Sequence, residues 1–205
     1  MTVHPQILIS ITTIAAVHPC RRRAYLMEKF GSNSNEINPR FVIGQLAHQI
    51  FQDCLEKDDF SMTNITEAKT RLIQGSLEDV YFAKSTSVEQ LSTELDKNLQ
   101  HLPAWQDHRN PQFFKNNDRD EIQVTSIMDI EESTFSPRYG LKGNIDATLE
   151  IRKRLKRTDQ ESVYLCPLEI KSGHSTSLAH RTQTILYSLM LSEKHGSFLF
   201  ASSVE

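Results

Sequence analysis

One stretch of this chain alternates too regularly to sit in a helix. Between Gly140 and Arg152, Ile145, Ala147, Leu149 and Ile151 share one parity, while Asn144, Asp146, Thr148, Glu150 and Arg152 share the other. A period of two sends these sets to opposite faces of a strand. The strand needs partners, and two flanking runs supply them. Ile122–Ile130 is strand-like, with a slip around Thr125-Ser126 that implies a bulge. Val163–Lys171 is the second run, and the basic, polar residues 153–160 connect it as a hairpin. Pro167 donates no backbone hydrogen bond, so pairing should fail there on one side.

Before these strands the period is helical. Thr12 or Thr13 can cap a short helix ending near His18-Pro19, and Cys20 opens a second piece. Residues 31–39 read as a loop. From Pro39, the residues Phe41, Ile43, Leu46, Ala47, Ile50, Phe51, Cys54 and Leu55 predict an amphipathic helix. Two more helices are expected near 64–83 and 87–101, with Leu77, Val80 and Tyr81 among the apolar positions of the first. Residues 102–120 read as a loop packed down by Trp105, Phe113 and Phe114. After the strands, Ser175–Ser177 can cap a helix to about Lys194, with core faces from Leu178, Ile185, Leu186, Leu189 and Met190. A last strand should begin at Ser197–Val204. The expected fold is α/β: a mixed sheet flanked by helices, with a helical part over 1–120 and an α/β core over 121–205.

Net charge is −3, so no global basic field draws in nucleic acid, and any such binding must rest on a local patch. The three cysteines, Cys20, Cys54 and Cys166, are odd in number and widely spaced, which fits a reducing compartment. Ile7–Val17 is apolar but has no basic leader, and it is too short to span a membrane. No Gly-x-x-x-x-Gly-Lys-Ser/Thr occurs, so a P-loop ATPase is not expected in this chain.

The chemistry should sit at Glu169-Ile170-Lys171. In a strand, Glu169 and Lys171 project side by side, and two opposite charges at the end of an apolar run are costly to desolvate. They are either a plain ion pair before a Gly turn or part of a site. Asp146 lies on the polar face of its strand, and hairpin pairing would bring it near Glu169. Two carboxylates and a backbone carbonyl make a hard oxygen site suited to Mg²⁺ or Mn²⁺. Lys171 alongside would orient or help deprotonate a water. His48 follows Gly44 by one helical turn, which leaves room before the imidazole. Glu131 and Glu132 are expected to end the first strand, as site residues or as solvated charges. Gln183 and Tyr187 stand one turn apart, with His180 on the same stripe, which faces either water or the site.

Taken in order, Gly44-x-x-x-His48, Gly143-x-x-Asp146, Glu169-x-Lys171 and Gln183-x-x-x-Tyr187 resemble the RecB-type nucleases of the PD-(D/E)XK superfamily. The runs Cys20–Leu26, Met128–Asp146 and Pro167–Gly173 are similar to the nuclease domain of the eukaryotic replication helicase/nucleases, over about Ser10–Glu205. The resemblance implies a restriction-endonuclease-like core. It implies a metal-dependent endonuclease on single-stranded or 5′-flap DNA, in Okazaki-fragment processing and double-strand-break resection. A single-stranded-DNA-binding protein would be a partner, and the compartment would be the nucleus, with the mitochondrion second. Asp146, Glu169, the Ile170 carbonyl and His48 would hold the metal, Lys171 would be the catalytic lysine, and Gln183 and Tyr187 would position DNA or the metal shell. Cys20 would be the first of four cysteines on a [4Fe–4S] cluster.

The family's other three cluster cysteines lie beyond its last helices. Cys54 and Cys166 do not match them and read as core residues, so the sequence reads as a piece of a larger protein. Arg21–Arg23, Arg138, Lys142 and Arg181 are candidate phosphate contacts, and Phe135 or Tyr139 could stack on bases. The basic run 152–157 reads as a solvated turn. Two other readings stay open: a non-catalytic single-stranded-DNA-binding or scaffolding module, and an iron–sulfur exonuclease of the same superfamily.

Overall fold

The computed structural model describes residues 7–18, 20–30, 39–76, 87–109, 121–155, 158, 160–171 and 177–196. It is mixed α/β and falls into two compact units. One holds residues 1–33, 111–169 and 173–205; the other holds 34–110 and 170–172.

The first unit is built on a sheet. Strands β2 (Glu121–Ser136), β3 (Leu141–Leu155) and β4 (Gln160–Leu168) form an antiparallel meander, with β3 central. The alternation of β3 holds: Ile145, Ala147, Leu149 and Ile151 are all buried. The expected bulge is present as a register shift between Val124 and Ser126, and a second shift follows between Ile127 and Asp129. A two-residue strand that sequence periodicity could not reveal, β1 (Ile9–Ser10), pairs parallel with the start of β3.

Several boundaries differ from expectation. β2 runs to Ser136 rather than stopping near Ile130. The hairpin after β3 is shorter than 153–160, because Leu155 already pairs with Gln160. Arg152, Lys153 and Arg154 are therefore ladder residues rather than turn residues. β4 ends at Leu168, so Glu169 and Lys171 follow the strand instead of projecting from it. Pro167 pairs opposite Thr148, and among the described residues β4 has β3 as its one ladder neighbour, as an edge-seeking proline requires.

Helices α1 (Ile11–Ala15) and α2 (Arg21–Phe30) belong to this unit. α1 starts earlier than Thr12 or Thr13 could cap: Ser10 holds the N-cap position, with no side-chain cap bond. A later helix, Leu178–His195, begins at the expected Ser177 cap, where a capping box joins Ser177 and His180, and ends at Gly196 in the left-handed region. Its core is Tyr187, Met190 and Leu191, packed with Ile11, Leu141 and Ile145.

The second unit is helical. α3 (Pro39–Lys57) packs against α4 (Met62–Gly75) and α5 (Val88–Leu99), and the helix Leu178–His195 of the first unit is accordingly α6. α3 ends in a Schellman arrangement, with Asp59 N–H donating to Cys54 C=O and Asp58 N–H to Leu55 C=O. Asp58 takes the left-handed conformation there, with φ 53°. Ser61 caps α4 and a Ser87–Gln90 box caps α5. α4 stops at Gly75, short of the expected 83. Phe41, expected in the core, is exposed, and Val42 is buried in its place. Residues 102–109 form a 3-10 helix rather than a loop. Trp105 does pack it down, edge-on to Phe51 at 5.3 Å and tilted on Phe60. Expectations for Leu77, Val80, Tyr81, Phe113, Phe114 and Ser197–Val204 lie outside the described residues. Among those described, no helix is long and apolar enough to cross a membrane.

Because α6 carries two of the motif residues, its cap bears on the site as well as on stability. Ser177→Ala should cost about 1 kcal/mol, read as a lowered urea midpoint with an unchanged m-value.

Candidate active site

α6 meets the sheet with a partly polar face. Gln183, Thr184, Tyr187 and Ser188 are buried, whereas Leu178, Ile185 and Leu189, expected in the core, are exposed. The polar stripe points inward because it has partners there. Gln183 Nε2 donates to Glu169 Oε1 at 2.8 Å. One turn later, the Tyr187 ring lies against the backbone of Gly143. A Cβ on Gly143 would stand 2.7 Å from Tyr187 Cε1 and 3.1 Å from its hydroxyl oxygen. Gly143 opens the Gly-x-x-Asp motif, so two of the four motifs interlock through this contact.

Asp146 lies three residues further along β3 and is buried. On β2, Ile130 is opposite Ala147 and Glu132 is opposite Ile145, so Glu131 takes the step across from Asp146. Carboxylate oxygens of Glu131 and Asp146 lie within 4.8 Å of each other. Glu131 is exposed and holds a left-handed backbone, φ 55°. For a residue with a Cβ this costs about 1–3 kcal/mol.

The Tyr187 hydroxyl reports on this cluster. Burial, then the charge of Glu169, push its pKa up to about 12; Asp146 and Glu131 add to the rise, and a Gln183 hydrogen bond opposes it. Tyr187 is therefore a neutral phenol that can donate a hydrogen bond among three carboxylates. Like charges so grouped repel, and hard oxygen donors of this kind suit a divalent cation that keeps part of its water.

Glu132 is the largest departure from expectation. Neither Glu131 nor Glu132 ends the strand, and Glu132 is only 4% exposed. Lys194 of α6 pairs with it at 2.6 Å, and the Thr148 hydroxyl donates to its other oxygen. Burial alone would raise its pKa, but the hydrogen bonds from Lys194 and Thr148, with the charges of Lys194 and His195, outweigh it and hold the carboxyl below its usual range. The signal that could have found it was parity: Glu132, Thr134 and Ser136 alternate inward along β2. Ser136 donates to Glu193, also on α6.

His48, Ile170 and Lys171 belong to the helical unit. His48 is half-buried on α3, and Gln52 Nε2 lies within hydrogen-bond reach of its Nε2 at 3.1 Å. Lys171 is exposed. The β2–β3 turn carries the candidate nucleic-acid contacts. Phe135 is 70% exposed, Lys142 pairs opposite it, and the Arg138 guanidinium sits 5.5 Å above the Tyr139 ring. Arg181 is exposed on α6. Cys20 is exposed, while Cys54 and Cys166 are buried; burial raises the Cys54 thiol to about 11.

The family model of DNA replication factor Dna2 matches residues 1–151. The chain belongs to the Dna2 family. It is 33% identical over 213 residues to the human DNA replication ATP-dependent helicase/nuclease DNA2, and 32% identical over 195 residues to its Schizosaccharomyces pombe relative. The Arabidopsis thaliana relative JHS1 is 31% identical over 210 residues. Each match covers 95% of this chain but 14–20% of the relative. The Dna2-family chain thus spans a fifth or less of the relatives' length.

Gly143→Ala should destabilise by about 1–3 kcal/mol through overpacking against Tyr187. In a Tyr187→Ala background that cost should vanish, giving a large coupling term in a double-mutant cycle. Glu132 sets an acid limb. Because its folded pKa is depressed, its stabilisation is complete above the unfolded carboxylate pKa and is lost as pH falls through the folded value. Urea midpoints measured from pH 7 downward should show this loss, and Glu132→Gln should flatten it.

Proposed function

We propose that this Dna2-family chain carries the nuclease centre of a DNA replication helicase/nuclease, cutting single-stranded or 5′-flap DNA in Okazaki-fragment maturation and in resection of double-strand breaks. The observation that supports this most is the set of oxygens around Tyr187: Asp146 and Glu131 across the β2–β3 ladder, and Glu169 held by Gln183. Such a donor set fits Mg²⁺ or Mn²⁺. Asp146, Glu169, the Ile170 carbonyl and His48 would hold the ion. When bound, it would polarise the scissile phosphate and lower the pKa of a water.

The chain's own groups divide the remaining work. Gln183 fixes the orientation of Glu169. The neutral Tyr187 hydroxyl offers a proton donor to a carboxylate or a phosphate oxygen. Lys171, two residues after Glu169, would orient the attacking water and offset charge growing on the phosphate. Arg138, Lys142 and Arg181 would contact phosphates, with Phe135 and Tyr139 stacking on unpaired bases at about 1–3 kcal/mol each. A nuclear, and secondarily mitochondrial, location and a single-stranded-DNA-binding protein as partner go with this role.

In a whole protein of this family, Cys20 would be the first thiolate on a [4Fe–4S] cluster. A [4Fe–4S] cluster takes four thiolates. The sequence has three cysteines, and two of them are buried in separate units. These residues do not complete a cluster site, and no step here depends on one.

The test is cleavage of 5′-flap and end-blocked single-stranded DNA in Mg²⁺ or Mn²⁺. Asp146→Ala and Lys171→Ala should each lower the rate on the order of a hundredfold or more. Undiminished cleavage by both variants overturns the reading, and failure on end-blocked substrates alone makes the enzyme an exonuclease.

A further inference from the structure

Glu131 and Glu132 are neighbours with opposite surroundings. Glu132 is buried, paired with Lys194 in the last turn of α6 and bonded by Thr148 of β3. Glu131 is exposed, left-handed, and beside Asp146. The β2 ladder approaches this point through two register shifts, then resumes with Glu132, Thr134 and Ser136 alternating inward. Asparagine or glycine would occupy a left-handed position at lower cost than glutamate. A glutamate there delivers a carboxylate to Asp146 that an ordinary strand residue would not.

We propose that Glu131 is a further carboxylate ligand of the divalent-cation site, and that Glu132, clamped by Lys194 and Thr148, is the positioning residue that holds it there. The buried pair ties β2 to α6 and fixes the backbone that Glu131 must follow. The same helix fixes Glu169 through Gln183, so α6 sets two sides of the donor set. The inference rests on the metal-dependent reading above.

Mn²⁺ titration of the 205-residue chain by calorimetry, with thermal melts of every variant, tests it. Asp146→Asn should abolish binding. Glu131→Gln should weaken it tenfold or more while leaving the melting midpoint unchanged. Glu131→Gly should bind as weakly yet melt higher, because the left-handed backbone is relieved. Glu132→Gln and Lys194→Met should lower the midpoint and, at a temperature where both are fully folded, weaken Mn²⁺ binding roughly tenfold. Lys194→Arg should retain both properties. Should Glu132→Gln fail to fold, Glu131→Gln decides alone. Parental affinity in Glu131→Gln, with binding lost in Asp146→Asn, overturns this inference and leaves the metal-dependent reading standing. A parent chain that binds no Mn²⁺ overturns both.

Discussion

The close approach of Tyr187 to Gly143 is the contact on which the sheet unit turns. An aromatic ring cannot come this near a strand that carries a Cβ, so α6 can settle on β3 only where β3 has a glycine. Once it does, the other inward positions of α6 are determined by helical geometry. Gln183 precedes Tyr187 by one turn and reaches Glu169; Met190 and Leu191 follow and join Ile11 and Ile145 in the core; Lys194 falls two turns beyond Tyr187 and meets Glu132. One close contact thus sets the rotation of the helix, and the rotation delivers a hydrogen-bond donor, an apolar plug and a cation to three places on the sheet.

That rotation comes at a cost in desolvation. Gln183, Thr184 and Ser188 are buried polar residues on a helix whose Leu178, Ile185 and Leu189 face outward. Buried polar groups are tolerable only when bonded. Here Thr184 and Ser188 donate to backbone carbonyls one turn back, and Gln183 donates to Glu169. Glu132 is the extreme case, because an unpaired buried carboxylate would be far more destabilising than a buried hydroxyl. Its two partners come from different elements, Thr148 from the sheet and Lys194 from the helix. The pair is therefore more informative about geometry than about net stability.

Much of this was legible because strands and helices write different periods. The β3 alternation, the α3 face around Leu46, Ile50 and Cys54, the Ser177 cap and the β2 bulge all follow from patterns of a few residues. What was not legible has a common physical origin. Charged or polar side chains default to water in a sequence reading, so Glu132 was left between a site residue and a solvated strand end, the α6 stripe between water and the site, and Leu178, Ile185 and Leu189 were placed in the core. Only tertiary partners reverse that default. The end of β4 at Leu168 was hidden for a related reason: Ile170 extends the apolar run although the ladder has stopped. The four motifs were visible as residue types, but their interlock was not, since no local pattern links Gly143 to a tyrosine 44 residues later.

The interlock changes what the motif spacing means. Gly143 and Asp146 are three residues apart on one strand, Gln183 and Tyr187 four apart on one helix. If each motif held its residues for chemistry alone, either spacing could drift with a compensating loop. It cannot drift when Tyr187 must lie on Gly143 while Gln183 reaches Glu169, because a one-residue slip on α6 rotates the helix by about 100° and separates both contacts at once. Gly143 and Asp146, three residues apart, take opposite faces of β3, and a one-residue change in that spacing would put them on the same face. The spacing is thus a packing constraint first, and the carboxylates inherit their positions from it.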